Sequence, residues 1–105
     1  IFGNGNQVRC FTWIDDVAKV IAGRSWDSET SGQCYNVGSE IPTRIIDLAQ
    51  IIWQRSGRTD PFRSHFVTSY KDDVLGRIPD SSKIKQLGWA HSKSIEDIVD
   101  ICLNT

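Results

Sequence analysis

The sequence predicts a mixed α/β domain that is richer in helix than in strand. Apolar residues recur at helical spacing in three segments: Ile14–Ile21, Ile45–Ile52 and Ile95–Cys102. Short β-favouring runs at Arg9–Ile14, Gln33–Val37 and His65–Thr68 lie between the helical segments. These runs are too few for a complete doubly wound sheet. With 105 residues, 39% of them hydrophobic and 24% charged, the chain makes one domain with a small core.

The chain opens on a turn. Gly3-Asn4-Gly5-Asn6 begins like a nucleotide-binding glycine loop, but Val8 holds the place of that loop's third glycine. No buried strand leads into it and no helix starts before Asp15. Gly and Asn both tolerate positive φ, so the stretch reads as a tight turn. Arg9–Ile14 then runs as a strand directly into a helix that Asp15 or Asp16 caps and that ends near Gly23. Ile14, Val17, Ala18 and Ile21 put one apolar stripe of this helix on the core.

Ser25 to Gly32 is polar loop, and Gln33–Val37 is a second short strand. Thr43 caps the next helix, whose Ile45, Leu48, Ala49 and Ile52 share a face with Ile46 and Trp53 beside them. Gly57 stops it. A strand at His65–Thr68 follows, then a polar, irregular segment from Ser69 to Pro79, long enough to suggest a functional loop. Asp80 caps a short helix over Ser81–Leu87 that ends at Gly88, with Trp89 packing back. Ser94-Ile95-Glu96-Asp97 starts the last helix in the manner of a capping box, with Ile95, Ile98, Val99 and Cys102 on one face.

Several function classes are excluded. A net charge of -1 gives no electrostatic footprint for nucleic acid or an anionic membrane. No apolar run approaches the roughly 20 residues that span a bilayer, and no secretory leader is visible. Cys10, Cys34 and Cys102 are odd in number and widely spaced, which argues against a disulfide framework or a zinc site and for buried reduced thiols in a cytoplasmic protein. His65 and His91 lack partners at metal spacing. Asp15 and Asp16 are a capping pair, not a catalytic one. Asn36 supports a loop through its amide. Trp13, Trp53 and Trp89 are core residues or contacts to another domain, and Trp26 is free to face a missing one.

Three pieces together carry a family resemblance. The first is Gly-x-Gly-x-Gln-x-Arg-x-Phe before a hydrophobic-Asp-Asp turn into a helix. The second is Cys34-Tyr35-Asn36-Val37-Gly38-Ser39. The third is Pro79-Asp80-Ser81-Ser82-Lys83-Ile84 with Leu87-Gly88-Trp89 and Ser94-Ile95-Glu96-Asp97. In this order they resemble the C-terminal, substrate-binding half of the extended short-chain dehydrogenase/reductase family. Its nucleotide-sugar epimerases, dehydratases and decarboxylases are the most similar in character. The resemblance covers nearly the whole chain and implies a small helix-rich α/β subdomain lacking the Rossmann half.

That half carries the family's Gly-x-x-Gly-x-x-Gly loop and Tyr-x-x-x-Lys pair. Neither occurs here, since Tyr35 and Tyr70 have Ser39 and Val74 four residues on. The resemblance therefore implies a fragment of a longer NAD- or NADP-dependent enzyme. About 170 to 200 residues are then missing, if one typical nucleotide-binding domain precedes it. The absence of an initial Met agrees with that expectation.

By the same resemblance Arg9 is a ligand of the nucleotide-sugar diphosphate, for which a guanidinium fork is suited. Gln7 helps with polar contacts or is a solvated turn residue. Arg77 closes over the nucleotide or its phosphates, and Asp73 accepts from a ribose hydroxyl. Asp72-Asp73 before Arg77 is similar to the sugar-acid decarboxylase branch, with Val74 in place of that branch's proline. Tyr70 stands where many epimerases have an arginine. The implied partners are a nucleotide-sugar and the missing Rossmann half, with homodimerisation left open. Two alternatives stay open: a reductase of the same superfamily acting on a non-nucleotide carbonyl compound, or a stand-alone protein-interaction module.

Overall fold

Two short antiparallel strands, β1 (Val8–Arg9) and β2 (Thr43–Arg44), lie at the centre of the fold, with Val8 opposite Arg44 and Arg9 opposite Thr43. The computed structural model describes residues 1–105. Four helices surround the strands: α1 (Ile14–Arg24), α2 (Ile45–Arg55), α3 (Ser82–Lys85) and α4 (Ile95–Leu103). A 3-10 turn at Ser28–Thr30 follows α1.

The opening turn has the expected form. Gly3 and Gly5 take φ of 63° and 78°, and the Asn4 side chain accepts from the Asn6 N–H at 2.9 Å. Gly5 lies so close to α2 that a Cβ would come within 2.9 Å of Ile46 Cβ. The turn also closes the start of α2. The Ile45 and Ile46 N–H groups donate to the Gln7 and Gly5 carbonyls, each at 3.0 Å. These carbonyls satisfy helix-start donors that a side-chain cap would otherwise serve. Hence Thr43 is a β2 residue, not the cap. Arg44 takes the cap position without a side-chain bond, its guanidinium clasping Asp47 at 2.8 and 2.9 Å.

Helix α2 packs on α4, as their apolar periodicity predicts. Phe11, Leu48, Ile52, Ile95, Ile98 and Cys102 line an apolar cleft of about 250 Å³ between them. Arg55 and Asp100 bridge the pair at 2.8 Å. The predicted capping box is present: Ser94 Oγ accepts from the Asp97 N–H, and the Asp97 carboxylate accepts from the Ser94 N–H. Gly57 ends α2 with φ 78°.

Several expectations are corrected. The first strand is Val8–Arg9, not Arg9–Ile14, because nothing pairs with the chain beyond Arg9. Neither Asp15 nor Asp16 caps α1. Trp13 is the cap residue, and both aspartates fall in the first turn, where the helix dipole favours them. Asp16 is instead a buried clamp. Its carboxylate accepts from the Ser92 N–H and Oγ, both at 2.7 Å, and its carbonyl accepts from Trp89 Nε1 at 2.9 Å. Trp89 thus packs back on α1 as expected.

Gln33–Val37 is not a strand. From Cys34 to Pro42 no backbone group pairs with another backbone group. Side chains pin the segment instead: Lys83 Nζ to the Cys34 carbonyl at 2.9 Å, Ser81 Oγ to the Gly38 carbonyl at 2.7 Å, and the Ser39 N–H to Thr12 Oγ1 at 2.9 Å. The Asn36 amide reaches the Asp80 carbonyl at 3.4 Å. The run His65–Thr68 is reduced to one parallel bridge, Val67 to Phe2, with the His65 carbonyl accepting from the Ile1 ammonium at 2.8 Å. The helix expected over Ser81–Leu87 forms at Ser82–Lys85 alone, with the Asp80 carboxylate accepting from the Ser82 N–H. Cys34 and Cys102 are exposed rather than buried, and Cys10 is half-buried.

The largest departure is α1. Ile14 and Ile21, expected in the core, are 69% and 60% exposed, and Trp26 beyond them is 94% exposed. The buried apolar side chains are Ile84 and Val99. The molecule is flat, 53 × 35 × 18 Å, with a radius of gyration of 16.7 Å. A compact chain of this length has about 13 Å. No helix is long and apolar enough to cross a membrane.

Candidate functional site

Strand β1 places Arg9, and a second segment joins it on the side away from β2. The Val8 N–H donates to the Leu75 carbonyl at 2.8 Å, and the Arg77 N–H donates to the Val8 carbonyl at 3.2 Å. This is the bond pattern of a parallel ladder, and Gly76 bridges Val8 within it. Arg9 and Arg77 each lie one residue beyond the bridged pair. Parallel register therefore sets them side by side on one face. Gly76 permits the approach, since a Cβ there would stand 3.2 Å from Val8 Cγ2. The sequence reading passed over that glycine; its signal was a lone Gly before an arginine in a polar loop.

The guanidinium of Arg9 is half-buried. Its NH1 donates to the Val8 carbonyl at 2.8 Å, and its NH2 faces Asp73 Oδ1 at 3.6 Å. Arg77 is exposed and its guanidinium has no ion-pair partner. The structure thus brings the loop that carries Asp73 and Arg77 against Arg9, which is far from it in sequence. Their loop is fastened at its start as well: the Asp73 N–H donates to the Tyr70 carbonyl at 3.1 Å, and the Tyr70 ring lies on Phe2 at 4.7 Å.

Gln7 is not a solvated turn residue. It is buried, and its Nε2 donates to the Phe2 carbonyl at 3.0 Å. That bond ties the opening turn to β1, so Gln7 positions Phe2 and Arg9 together. Two guanidiniums on one edge, one oriented by a backbone carbonyl, form a fork suited to phosphate oxygens.

Electrostatic perturbation lies elsewhere. Burial pushes the Asp16 carboxyl up, but the hydrogen bonds from Ser92, with Lys19 and His91 nearby, outweigh it and hold the group below its ordinary value. The bond from Lys85 holds the Glu40 carboxyl low, and that from Ser82 does the same for Asp80. Burial, then Glu40, raises the Cys10 thiol. Of these groups only Cys10, the residue after Arg9, adjoins the arginines, and no three His, Cys, Asp or Glu side chains converge on a metal position.

No family model matches the chain. Individual proteins do. The UDP-N-acetyl-alpha-D-glucosaminuronate decarboxylase of Bacillus cytotoxicus is 28% identical over 96 residues, covering 87% of this chain and 29% of the decarboxylase. The GDP-L-fucose synthase of Escherichia coli is 30% identical over 104 residues, covering 91% of this chain and 32% of the synthase. Among solved structures, the UDP-glucuronic acid 4-epimerase of Bacillus cereus, in complex with UDP-glucuronic acid and NAD, superposes with a TM-score of 0.85 at 25% identity. That match covers 99% of this chain and 33% of the epimerase.

The relatives and structural neighbours of this chain are nucleotide-sugar epimerases, dehydratases and allied enzymes of the extended short-chain dehydrogenase/reductase family. The chain spans about a third or less of these relatives. The fold is likewise that of a small mixed helix–sheet domain within the family's larger structures. The dTDP-glucose 4,6-dehydratase of Bacillus anthracis, in complex with NAD, shares this fold with a TM-score of 0.83 at 18% identity.

Proposed function

We propose that this chain is the substrate-binding wall of a longer nucleotide-sugar epimerase, dehydratase or decarboxylase, in which Arg9 and Arg77 grip the nucleotide diphosphate. The observation that carries this reading is the parallel bridge between Val8 and Gly76, which brings the two arginines to one edge. Gln7 holds the turn and strand behind them in register, and Asp73 completes the cluster as the carboxylate facing Arg9.

The relatives support the substrate class. Their names specify UDP-, GDP- and dTDP-sugars, and the epimerase and dehydratase structures contain NAD. In this reading NAD or NADP, bound by the rest of the protein, supplies transient oxidation of the sugar. This chain offers no glycine loop and no Tyr-x-x-x-Lys pair to hold that cofactor. Its own residues bind and orient the diphosphate and help close the site to water. The exposed side of α1 packs against the cofactor-binding part. Three free thiols without a disulfide fit a reducing compartment, the cytoplasm.

The test is a steady-state assay of the full-length protein with NAD or NADP and a panel of UDP-, GDP- and dTDP-sugars. Arg9→Ala should raise KM for the nucleotide-sugar by about tenfold or more, the loss expected for a hydrogen bond to a charged group. An unchanged KM sinks the assigned role of Arg9. An intact mass in the native source equal to the 11.8 kDa of this chain favours the stand-alone interaction module instead.

A further inference from the structure

From the geometry of the Arg9–Asp73 pair we infer that Asp73 is a stand-in for phosphate: it occupies Arg9 in the empty site and gives way when an anionic ligand arrives. This deepens the reading of Arg9 as a diphosphate ligand and rests on it.

Two features separate the role of Asp73 from that of a ligand-binding group. Its distance is the first. At 3.6 Å, Asp73 Oδ1 is too far from Arg9 NH2 for a good charge-assisted hydrogen bond, which runs about 2.7–2.9 Å. The contact is a loose ion pair between partly exposed groups, the class worth about 0–1 kcal/mol. The second is charge. A carboxylate beside the oxygens of a diphosphate repels them, so Asp73 costs affinity wherever it stays in place.

The other contacts of Arg9 and Asp73 make an exchange possible without dismantling the fold. Arg9 keeps its orientation through NH1 and the Val8 carbonyl at 2.8 Å, a bond that does not involve Asp73. The loop that carries Asp73 stays attached to β1 by the Leu75 and Arg77 backbone bonds. Upstream it is held by the Tyr70 ring on Phe2. Only the side chain of Asp73 has to leave. In the empty site it keeps a half-buried guanidinium paired; in the occupied site the diphosphate takes over its place.

The expected effect therefore has a sign opposite to that of a ligand-binding carboxylate. Inorganic pyrophosphate is titrated by calorimetry into the full-length protein at about 0.15 M salt, where charges beyond about 8 Å are largely screened. Asp73→Asn should bind pyrophosphate about two- to fivefold more tightly than the unaltered protein. Asp73→Glu keeps the charge and the pairing and should bind as the unaltered protein does. Asp72→Asn removes the same charge from an exposed neighbour without an ion-pair partner, and should change affinity less than Asp73→Asn. Arg9→Ala should lose at least about tenfold. Weaker or unchanged binding by Asp73→Asn, with binding still lost in Arg9→Ala, overturns the stand-in role and leaves the diphosphate reading intact. Equal tightening by Asp72→Asn reduces the effect to general charge and also overturns it. Unaltered binding in Arg9→Ala removes the diphosphate reading and this inference with it.

Discussion

Replacing Gly5 with alanine tests the joint that sets β1 against α2. Two costs add at this position. The backbone sits at φ 78°, where a residue with a Cβ is strained by about 1–2 kcal/mol. The new methyl would also meet Ile46 Cβ at 2.9 Å, inside any tolerable contact, and relieving that overlap costs about 1–3 kcal/mol. The lower entropy of the unfolded alanine chain returns about 0.4–1 kcal/mol. The net loss is therefore about 1–5 kcal/mol. Gly57 provides the control. It has the same φ of 78°, but nothing lies within 4 Å of its virtual Cβ. Gly57→Ala should cost only the backbone term, about 1 kcal/mol after the same offset. The assay is native-state hydrogen exchange of the Ile45 and Ile46 amides, whose partners are the Gln7 and Gly5 carbonyls. Gly5→Ala should accelerate their exchange about tenfold or more beyond Gly57→Ala. Equal acceleration in the two variants refutes the close approach of the turn to α2, and with it the account of how Arg9 is placed.

Two further predictions concern the clamp and the last helix. The Asp16 carboxyl is held below its ordinary value, so its contribution is present above the unfolded carboxyl value and is lost as pH falls through the lower folded value. Asp16→Asn, which weakens the acceptor of two Ser92 bonds, should cost about 1–3 kcal/mol at neutral pH and flatten the acid limb of a stability-against-pH curve below about pH 4. An acid limb as steep as before places the titration elsewhere. Ser94→Ala removes one half of the capping box and should cost about 1 kcal/mol, read as faster exchange in the first turn of α4; unchanged exchange there argues against the cap.

What the sequence discloses follows from how local each feature is. Helices α2 and α4 were legible because their stripes face each other within the chain, and both signals, periodicity and a capping box, are short-range. The opening turn was legible for the same reason: Gly3 and Gly5 need positive φ whatever surrounds them. The N-terminus of α2 was misread by one residue because its donors are met by carbonyls of Gly5 and Gln7, some 40 positions away and invisible to any local rule. At the site, the types of Arg9, Asp73 and Arg77 suggest their chemistry, but only the fold, through the Val8–Gly76 bridge and the Arg9–Asp73 pair, brings their segments together. Gln7 illustrates the limit most plainly, since its identity fits a ligand contact and its burial makes it a strut.

The misplacement of α1 has a different origin. Its apolar stripe reads as a core face, yet Ile14 and Ile21 face outward. A monomer of this mass exposes about 5,900 Å², whereas this chain exposes 7475 Å². The difference, about 1,600 Å² on one chain, is about twice the 800 Å² that one partner buries in a standard protein–protein interface. The same cause accounts for Gln33–Val37, a β-favouring run with no backbone partner. A packing stripe without a core and a strand pattern without a neighbour are what remain when one side of a shared core is considered alone. Both features lie in the 14–37 region, while Arg9, Asp73 and Arg77 cluster about β1. The exposed stripe and the unpaired run thus belong to other segments of the chain than the Arg9–Asp73 pair and the Val8–Gly76 bridge. On the function proposed above, substitutions at Ile14 or Ile21 should weaken assembly with the cofactor-binding part and leave KM for the nucleotide-sugar unchanged; a raised KM would count against that reading.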